Sequence, residues 1–151
     1  MKYEDVSWHS GAENFPKELP AEAGGTHTGM FVAWALLSGL GNPEFFEEIG
    51  ALKTRSTTPG RFFYDRCDGK FVDEELNDEG NAFTLVYFDA ENGRYLHDYA
   101  EVLSQELETA YHVADTWANF ERLKPLLDRR LAEWRRGALP GKKPWWKFWG
   151  D

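Results

Sequence analysis

The side chains best suited to metal binding or nucleophilic catalysis are four histidines and one cysteine, at His9, His27, His97, His112 and Cys67. No two of the histidines have the HExxH spacing that places zinc ligands on one helix face, and one cysteine cannot build a thiolate zinc site. Cys67 stands in an apolar helical pattern that is typical of a buried thiol. Phosphate-binding loops and the GxSxG nucleophile motif are absent. The sequence therefore predicts no catalytic residue, no metal site and no cofactor.

Three of the histidines stand beside aromatic or hydroxyl side chains, in Ser7-Trp8-His9, Thr26-His27-Thr28 and Tyr111-His112. If these segments meet in the folded chain, they form a polar pocket lined by rings, which suits a ligand. Alternatively, the histidines hydrogen-bond to backbone and hold the N-terminal segment on the first long helix. The residues of this candidate pocket are Trp8, His9, His27 and His112.

Acidic clusters beside aromatic residues form the second candidate site. The chain has a net charge of -9, and removing the three lysines and one aspartate after Pro140 leaves -11. A body of this charge repels nucleic-acid phosphates and attracts a basic partner, although solubility alone also explains it. The predicted partner-binding residues are Glu44, Phe45, Glu47, Glu48, Asp73, Glu74 and Glu75.

The elements that position these residues are mainly helical. Residues 1–25 are rich in turn formers and predict an extended arm, with Trp8 packed on the body and His9 hydrogen-bonded there. The run 26–40 is apolar on nearly every face, which is typical of a central helix. Trp34 is therefore expected to be buried.

Three further segments carry helix signals. Asn42-Pro43-Glu44 begins a helix that is predicted to run to about Lys53, with Phe46 facing inward. Thr58-Pro59-Gly60 repeats the same start signal. The clearest stripe runs from Trp117 to Trp134, with a kink or break expected at Pro125.

The segment 81–99 is ambiguous. Its apolar residues fit helical spacing, and Asn77 and Asp78 offer a helix cap, which favours a helix. The alternative is a β-hairpin near 82–99 that turns at Asn92-Gly93. The predicted fold class is thus a mainly α, compact helical domain with an extended N-terminal arm, with α+β as the alternative.

The length of 151 residues suits one domain, which we place at residues 1–140. Residues 141–151 form a basic and aromatic tail. Its aromatic residues are too few for a stable isolated helix, and the acidic body disfavours contact with anionic membranes. We therefore expect docking on the body or on a neighbouring copy, through Trp145, Trp146, Phe148 and Trp149.

The cellular location is predicted from composition. A single cysteine fits a reducing compartment, and the N-terminal residues lack the apolar core of a signal peptide. The longest apolar run has eight residues, whereas a membrane span needs about 20. These features predict a cytoplasmic protein.

Four strings carry a resemblance to known sequences: SWH, ELPAEAGGTHTGMFVAWALLSGL, LNDEGNAF and YHVADTWANFERLKPLLDRRLAEW. They resemble an uncharacterised family of small acidic bacterial proteins, over most of the chain from Tyr3 to Trp134. The resemblance supplies no catalytic residues to transfer. By size, charge and class, it suggests an immunity protein that neutralises a secreted toxin.

Three functions follow from these observations. The first is a non-enzymatic protein-binding domain of the bacterial cytoplasm, with a basic toxin as its partner. The second is an enzyme whose histidine and carboxylate site is assembled from distant residues. The third is a peripheral membrane or assembly module that uses the tail. The sequence predicts no nucleic-acid partner and leaves the oligomeric state open.

Overall fold

The computed structural model describes residues 1–45, 47–91 and 93–150. The described residues form seven α-helices and two short strands, which confirms the mainly α prediction. Their bounds are β1 Lys2–Asp5, α1 Val6–Ser10, α2 Thr26–Leu37, α3 Gly50–Lys53, α4 Pro59–Cys67, β2 Lys70–Val72, α5 Asp78–Tyr87, α6 Tyr95–Leu103 and α7 Trp117–Arg135. Short 3₁₀ segments span Ala21–Gly25, Pro43–Phe45, Asp73–Glu75, Ala110–His112 and Trp146–Phe148.

Helix α2 lies at the centre of the fold. Every residue from Thr26 to Leu36 is buried, so the helix has no solvent-facing side. Trp34 is fully buried, as predicted, and its Nε1 donates a 2.9 Å hydrogen bond to Asp128 of α7. Helix α4 packs so closely on α2 that a Cβ atom at Gly29 would lie 2.8 Å from the Cα atom of Gly60. The glycine at position 29 therefore permits this contact.

The N-terminal segment is more regular than an extended arm. Strand β1 pairs antiparallel with β2, with Lys2 opposite Val72. In α1, Val6 is buried whereas Trp8 is 53% exposed, under the Lys2 ammonium group. The expectation that Trp8 packs on the body was wrong, because residues two apart on a helix point in different directions.

Two helix predictions differ from the structure. The helix predicted from Pro43 to Lys53 is divided into a 3₁₀ turn and the single turn α3. The Asn42 side chain accepts a hydrogen bond from the amide of Glu44, which favours a tight turn there. Phe46 lies outside the described residues. Helix α7 continues through Pro125 without a break. A proline cannot donate a hydrogen bond to the carbonyl group four residues earlier, but Pro125 lies on the exposed face of the helix, where water can bind that carbonyl group.

The ambiguous segment is helical, so the hairpin alternative was wrong. Asn77 caps α5 as predicted, and its side chain accepts a 2.8 Å hydrogen bond from the amide of Gly80. A loop then leads to α6, and Asn92 of the suggested turn lies outside the described residues.

A buried ion pair joins α6 to α7. Asp98 accepts hydrogen bonds from Arg130 Nε at 2.8 Å and from the Tyr87 hydroxyl at 2.8 Å. Arg94 lies 3.2 Å from the same carboxylate. Burial opposes ionisation of Asp98, but the hydrogen bonds from Arg130 and Tyr87 outweigh it and lower the Asp98 pKa. This network fixes the two helices relative to each other.

The C-terminal tail docks on the body. Trp149 is 1% exposed, and its Nε1 donates to the carbonyl of Leu96 at 3.3 Å. Trp145 Nε1 donates to the carbonyl of Ala90 at 2.8 Å, and the Gly150 carbonyl accepts from Asn14. Across the described part of the chain, no helix combines the length and apolar character that crossing a membrane requires.

Candidate functional site

Three side chains that could hold a metal ion meet beneath the tail. Glu4 lies in β1, His9 lies in α1, and His27 lies in the first turn of α2. The Glu4 carboxylate oxygen Oε2 is 3.0 Å from His9 Nε2 and 3.6 Å from His27 Nε2. The ligand atoms of all three residues lie within 4.8 Å of one another. We call these three residues the histidine cluster.

Local sequence features bring the cluster together. Asp5 caps α1 by accepting a 3.0 Å hydrogen bond from the amide of Ser7, so the chain turns from strand to helix directly after Glu4. A Cβ atom at Gly24 would lie 3.2 Å from the Cβ atom of His9. The glycine therefore lets α1 approach the start of α2 closely enough for its histidine to reach His27.

Aromatic rings surround the cluster. The Trp149 ring lies 4.6 Å from the ring of His27 and 6.0 Å from that of His9, measured between centroids. Tyr99 stacks on Trp149. The Tyr111 hydroxyl lies 2.6 Å from His9 Nδ1. The cluster is thus enclosed by apolar surface, with one hydroxyl group oriented at a histidine.

Burial and charge set the protonation states in the cluster. Burial opposes ionisation of Glu4, but the imidazoles of His27 and His9 outweigh it and lower the Glu4 pKa to about 2. Burial also lowers the pKa of His27 to about 4, although Glu4 acts in the opposite direction. Near neutral pH, the cluster therefore contains an ionised carboxylate beside a neutral imidazole.

His27 has unsatisfied polar atoms. It is 1% exposed, and neither ring nitrogen has a hydrogen-bond partner among the described residues. By contrast, both ring nitrogens of His9 are engaged: Nε2 donates to Glu4, and Nδ1 accepts from Tyr111 in the neutral ring. Leaving a buried polar group unpaired typically costs about 1–3 kcal/mol.

A second site forms where the two acidic segments meet. An isolated bridge pairs Gly41 with Leu76, the Asn42 amide donates to the Glu75 carbonyl at 3.0 Å, and the Asn42 side chain donates to the Glu74 carbonyl at 2.9 Å. These bonds place residues 41–42 beside residues 74–76. A cleft of about 190 Å³ opens there, and we call it the acidic groove. Its lining residues are Leu36, Gly39, Gly41, Asn42, Pro43, Phe45, Ile49 and Asn77.

Residues 2–113 match a family described as a domain of unknown function, DUF7832. The chain belongs to this family. No curated protein and no solved structure has significant similarity to the chain. The DUF7832 region contains the whole histidine cluster, Tyr111 and both acidic segments of the groove, whereas Trp149 lies beyond it.

Some of the predicted site residues of this DUF7832 chain lie elsewhere. His112 does not join His9 and His27; it contacts Glu18 at 3.0 Å and belongs to a more exposed group with Glu108. Trp8 points to solvent and does not line a pocket with the histidines. The three histidine segments therefore meet as expected, but the third segment contributes Tyr111 to the cluster and not His112.

The predicted partner-binding residues also differ in their exposure to solvent. Glu44, Glu47 and Glu74 are exposed beside the acidic groove, where Phe45 contributes to the lining. Including Glu75 was wrong, because its side chain is 5% exposed. Two other predicted residues have restricted access. Asp73 binds the N-terminal ammonium group at 2.9 Å, and Glu48 is partly buried.

The predicted pocket residues omitted three members of the histidine site, Glu4, Tyr111 and Trp149, although Tyr111 stood in one of the three histidine segments and Trp149 was expected to dock. Glu4 and His9 are five residues apart, which matches no helical metal motif, because a strand-to-helix turn separates them. Tyr111 and Trp149 reach the cluster from distant parts of the chain. The two adjacent glycines before Thr26 were the available signal, since they indicate close backbone packing at the start of α2.

Proposed function

We propose that this chain is a non-enzymatic protein-binding domain of the bacterial cytoplasm, which binds a basic partner such as a secreted toxin that it neutralises. The observation that carries the proposal is the acidic groove. Two acidic segments about 30 residues apart in the sequence meet beside one cleft, whose lining residues are uncharged.

The composition of the groove suits a protein partner. Phe45 and Ile49 line the cleft, and Glu44, Glu47 and Glu74 are exposed acids of the two segments that meet beside it. Protein interfaces combine a few apolar or aromatic anchors with a polar rim, and the anchors carry most of the binding energy. A basic partner with one apolar side chain at its centre fits this arrangement.

The charge of the whole chain supports the same partner class. The net charge of -9 attracts a positively charged protein over long distances. Complementary charge accelerates association by factors of about 10 to 10³ at low salt. Rapid capture suits an inhibitor that must act before its toxin reaches a target.

The test uses two matched triple variants. The groove variant carries Glu44→Lys, Glu47→Lys and Glu74→Lys, and the control carries Lys at three other exposed acids, Glu13, Glu22 and Glu106. The net charge of both variants changes equally. Wild-type protein and both variants serve as bait in extracts of the source cells, and bound partners are purified for stopped-flow measurement.

We expect a partner that the wild-type and control baits retain and that the groove bait loses. Its association rate should fall at least about tenfold with the groove variant and should depend less on ionic strength. Phe45→Ala should accelerate dissociation, because it removes the apolar anchor. If the groove variant binds every retained partner as rapidly as the control variant does, the groove is not the docking site.

An enzyme is the second candidate function, because Glu4, His9 and His27 converge as a carboxylate and two imidazoles. Such groups carry out general acid–base catalysis when a substrate reaches them. Trp149 covers the cluster, so an enzyme of this kind requires the tail to open. Turnover of a small molecule that is abolished by His9→Gln would establish this candidate in place of the binding domain.

A further inference from the structure

We propose that Glu4, His9 and His27 form a binding site for one divalent transition-metal ion, with zinc as the best-matched ion. The sequence motifs predicted no metal site, and the acidic groove plays no part in this one. The inference therefore stands independently of the binding function.

Two of the three separations within the cluster are close to those between zinc ligands. Zinc lies about 2.0–2.2 Å from histidine nitrogen and carboxylate oxygen atoms, so ligand atoms of a tetrahedral site are separated by roughly 3.3 Å. The separations of 3.0 Å from Glu4 to His9 and 3.6 Å from Glu4 to His27 lie on either side of this value. Small rotations of these side chains would therefore complete a metal site.

The unsatisfied His27 ring is a second and independent indication. Its Nε2 faces the Glu4 carboxylate at 3.6 Å, too far for a hydrogen bond, and the ring is almost completely buried. A buried imidazole without a partner is costly in a purely structural cluster. A metal ion between Glu4 and His27 would bind Nε2 and balance the negative charge of the carboxylate.

The surroundings of His9 resemble those of a metal ligand. Histidines that bind metal through one ring nitrogen usually hydrogen-bond through the other, which fixes the ring orientation. Tyr111 lies 2.6 Å from His9 Nδ1 and leaves Nε2 directed toward Glu4. In a metal complex, Nδ1 would carry the proton and donate to the Tyr111 oxygen.

The donor set restricts the type of ion. Two imidazoles and one carboxylate suit zinc and neighbouring transition metals, whereas calcium prefers six to eight oxygen ligands. Three protein ligands leave a fourth zinc position for water or another small ligand. Trp149 and Tyr99 lie against the cluster and limit exchange with solvent.

The experiment measures zinc and cobalt binding to untagged full-length protein. Calorimetry with a competing chelator gives the stoichiometry and affinity, and the visible spectrum of bound Co²⁺ reports the coordination geometry. We expect one ion per chain, a tetrahedral cobalt spectrum and a rise in melting temperature with added zinc.

Variants locate the ion. Glu4→Gln and His9→Gln should weaken zinc binding by more than about 100-fold, because loss of an outer-shell partner alone costs about 10–100-fold. Tyr111→Phe should fall within that smaller range. His112→Gln is the matched control, since His112 belongs to the other histidine and carboxylate group, with Glu18 and Glu108. This control should leave the affinity unchanged.

Two results would overturn the proposal. One is the absence of a zinc complex at micromolar protein concentration in the folded wild-type chain. The other is binding that His112→Gln abolishes and that Glu4→Gln and His9→Gln leave intact. Circular dichroism of each variant confirms folding, and the wild-type stoichiometry and cobalt spectrum decide the case even if a variant unfolds.

Discussion

Glu75 should make the stability of this chain fall as the pH rises. Its carboxyl group is 5% exposed, and Oε2 has no hydrogen-bond partner among the described residues. Burial raises the pKa of Glu75 to about 8, although a hydrogen bond with Cys67 acts in the opposite direction. The substitution Glu75→Gln removes the ionisable group while keeping its size and its hydrogen-bonding capacity.

The pKa values define both the direction and the size of the effect. An unfolded chain releases the Glu75 proton near the ordinary pKa of 4.5, whereas the folded chain holds it to about pH 8. Unfolding therefore releases a proton between these values, and stability decreases as the pH rises through that window. At about 1.4 kcal/mol per pKa unit, the wild-type chain should lose on the order of 4 kcal/mol relative to Glu75→Gln by pH 8.

The assay is urea denaturation at a series of pH values from 4 to 9, followed by circular dichroism. The quantity of interest is the difference in unfolding free energy between the wild-type chain and Glu75→Gln, because titration of all other groups cancels. Glu74→Gln is the matched control, since Glu74 is an exposed neighbour. Parallel curves for wild type and Glu75→Gln across this range would refute the assigned pKa and the burial argument behind it.

Two further predictions concern the core and are checked by the same denaturation assay. Trp34→Ala should lower the unfolding free energy by about 3–5 kcal/mol, because the Trp34 side chain of α2 is fully buried and bonds to α7. A loss below about 1 kcal/mol would show that α2 is not central. Asp98→Ala should cost about 3–5 kcal/mol, because it removes the buried carboxylate between α6 and α7 and leaves the buried guanidinium group of Arg130 with Glu133 as its remaining partner. Recovery of stability in the double variant with Arg130→Met would support this cause, whereas an additive further loss would contradict it.

Local sequence signals predicted most of the helices but not the tertiary contacts between them. The apolar run of α2, the Asn77 cap and the stripe of α7 act within one or two helical turns, so their patterns were readable. The Pro43–Lys53 helix failed because a side-chain hydrogen bond at Asn42 competes with helical continuation. Tertiary contacts thus decided where a helical pattern stopped.

The candidate sites were harder to predict, because both are built from segments far apart in sequence. His9 and His27 were identified as pocket residues, but Glu4 carried no signal, since an acid in an N-terminal strand is usually exposed. Glu75 failed for the opposite reason: its two acidic neighbours suggested a surface cluster, while the pairing of β1 with β2 and the adjacent 3₁₀ turn bury its side chain.

Because Trp149 lies near the end of the chain, the histidine cluster is synthesised well before the ring that covers it. His27 precedes Trp149 by about 120 residues, so a ribosome completes all three ligands of the cluster long before it adds the tryptophan. At typical elongation rates of about 5–20 residues per second, this interval lasts roughly 6–24 seconds. The ring also packs on Tyr99 and Tyr111, which are likewise synthesised before it. The nascent chain therefore has a period of seconds in which the proposed metal ion would reach the cluster before the indole ring covers it.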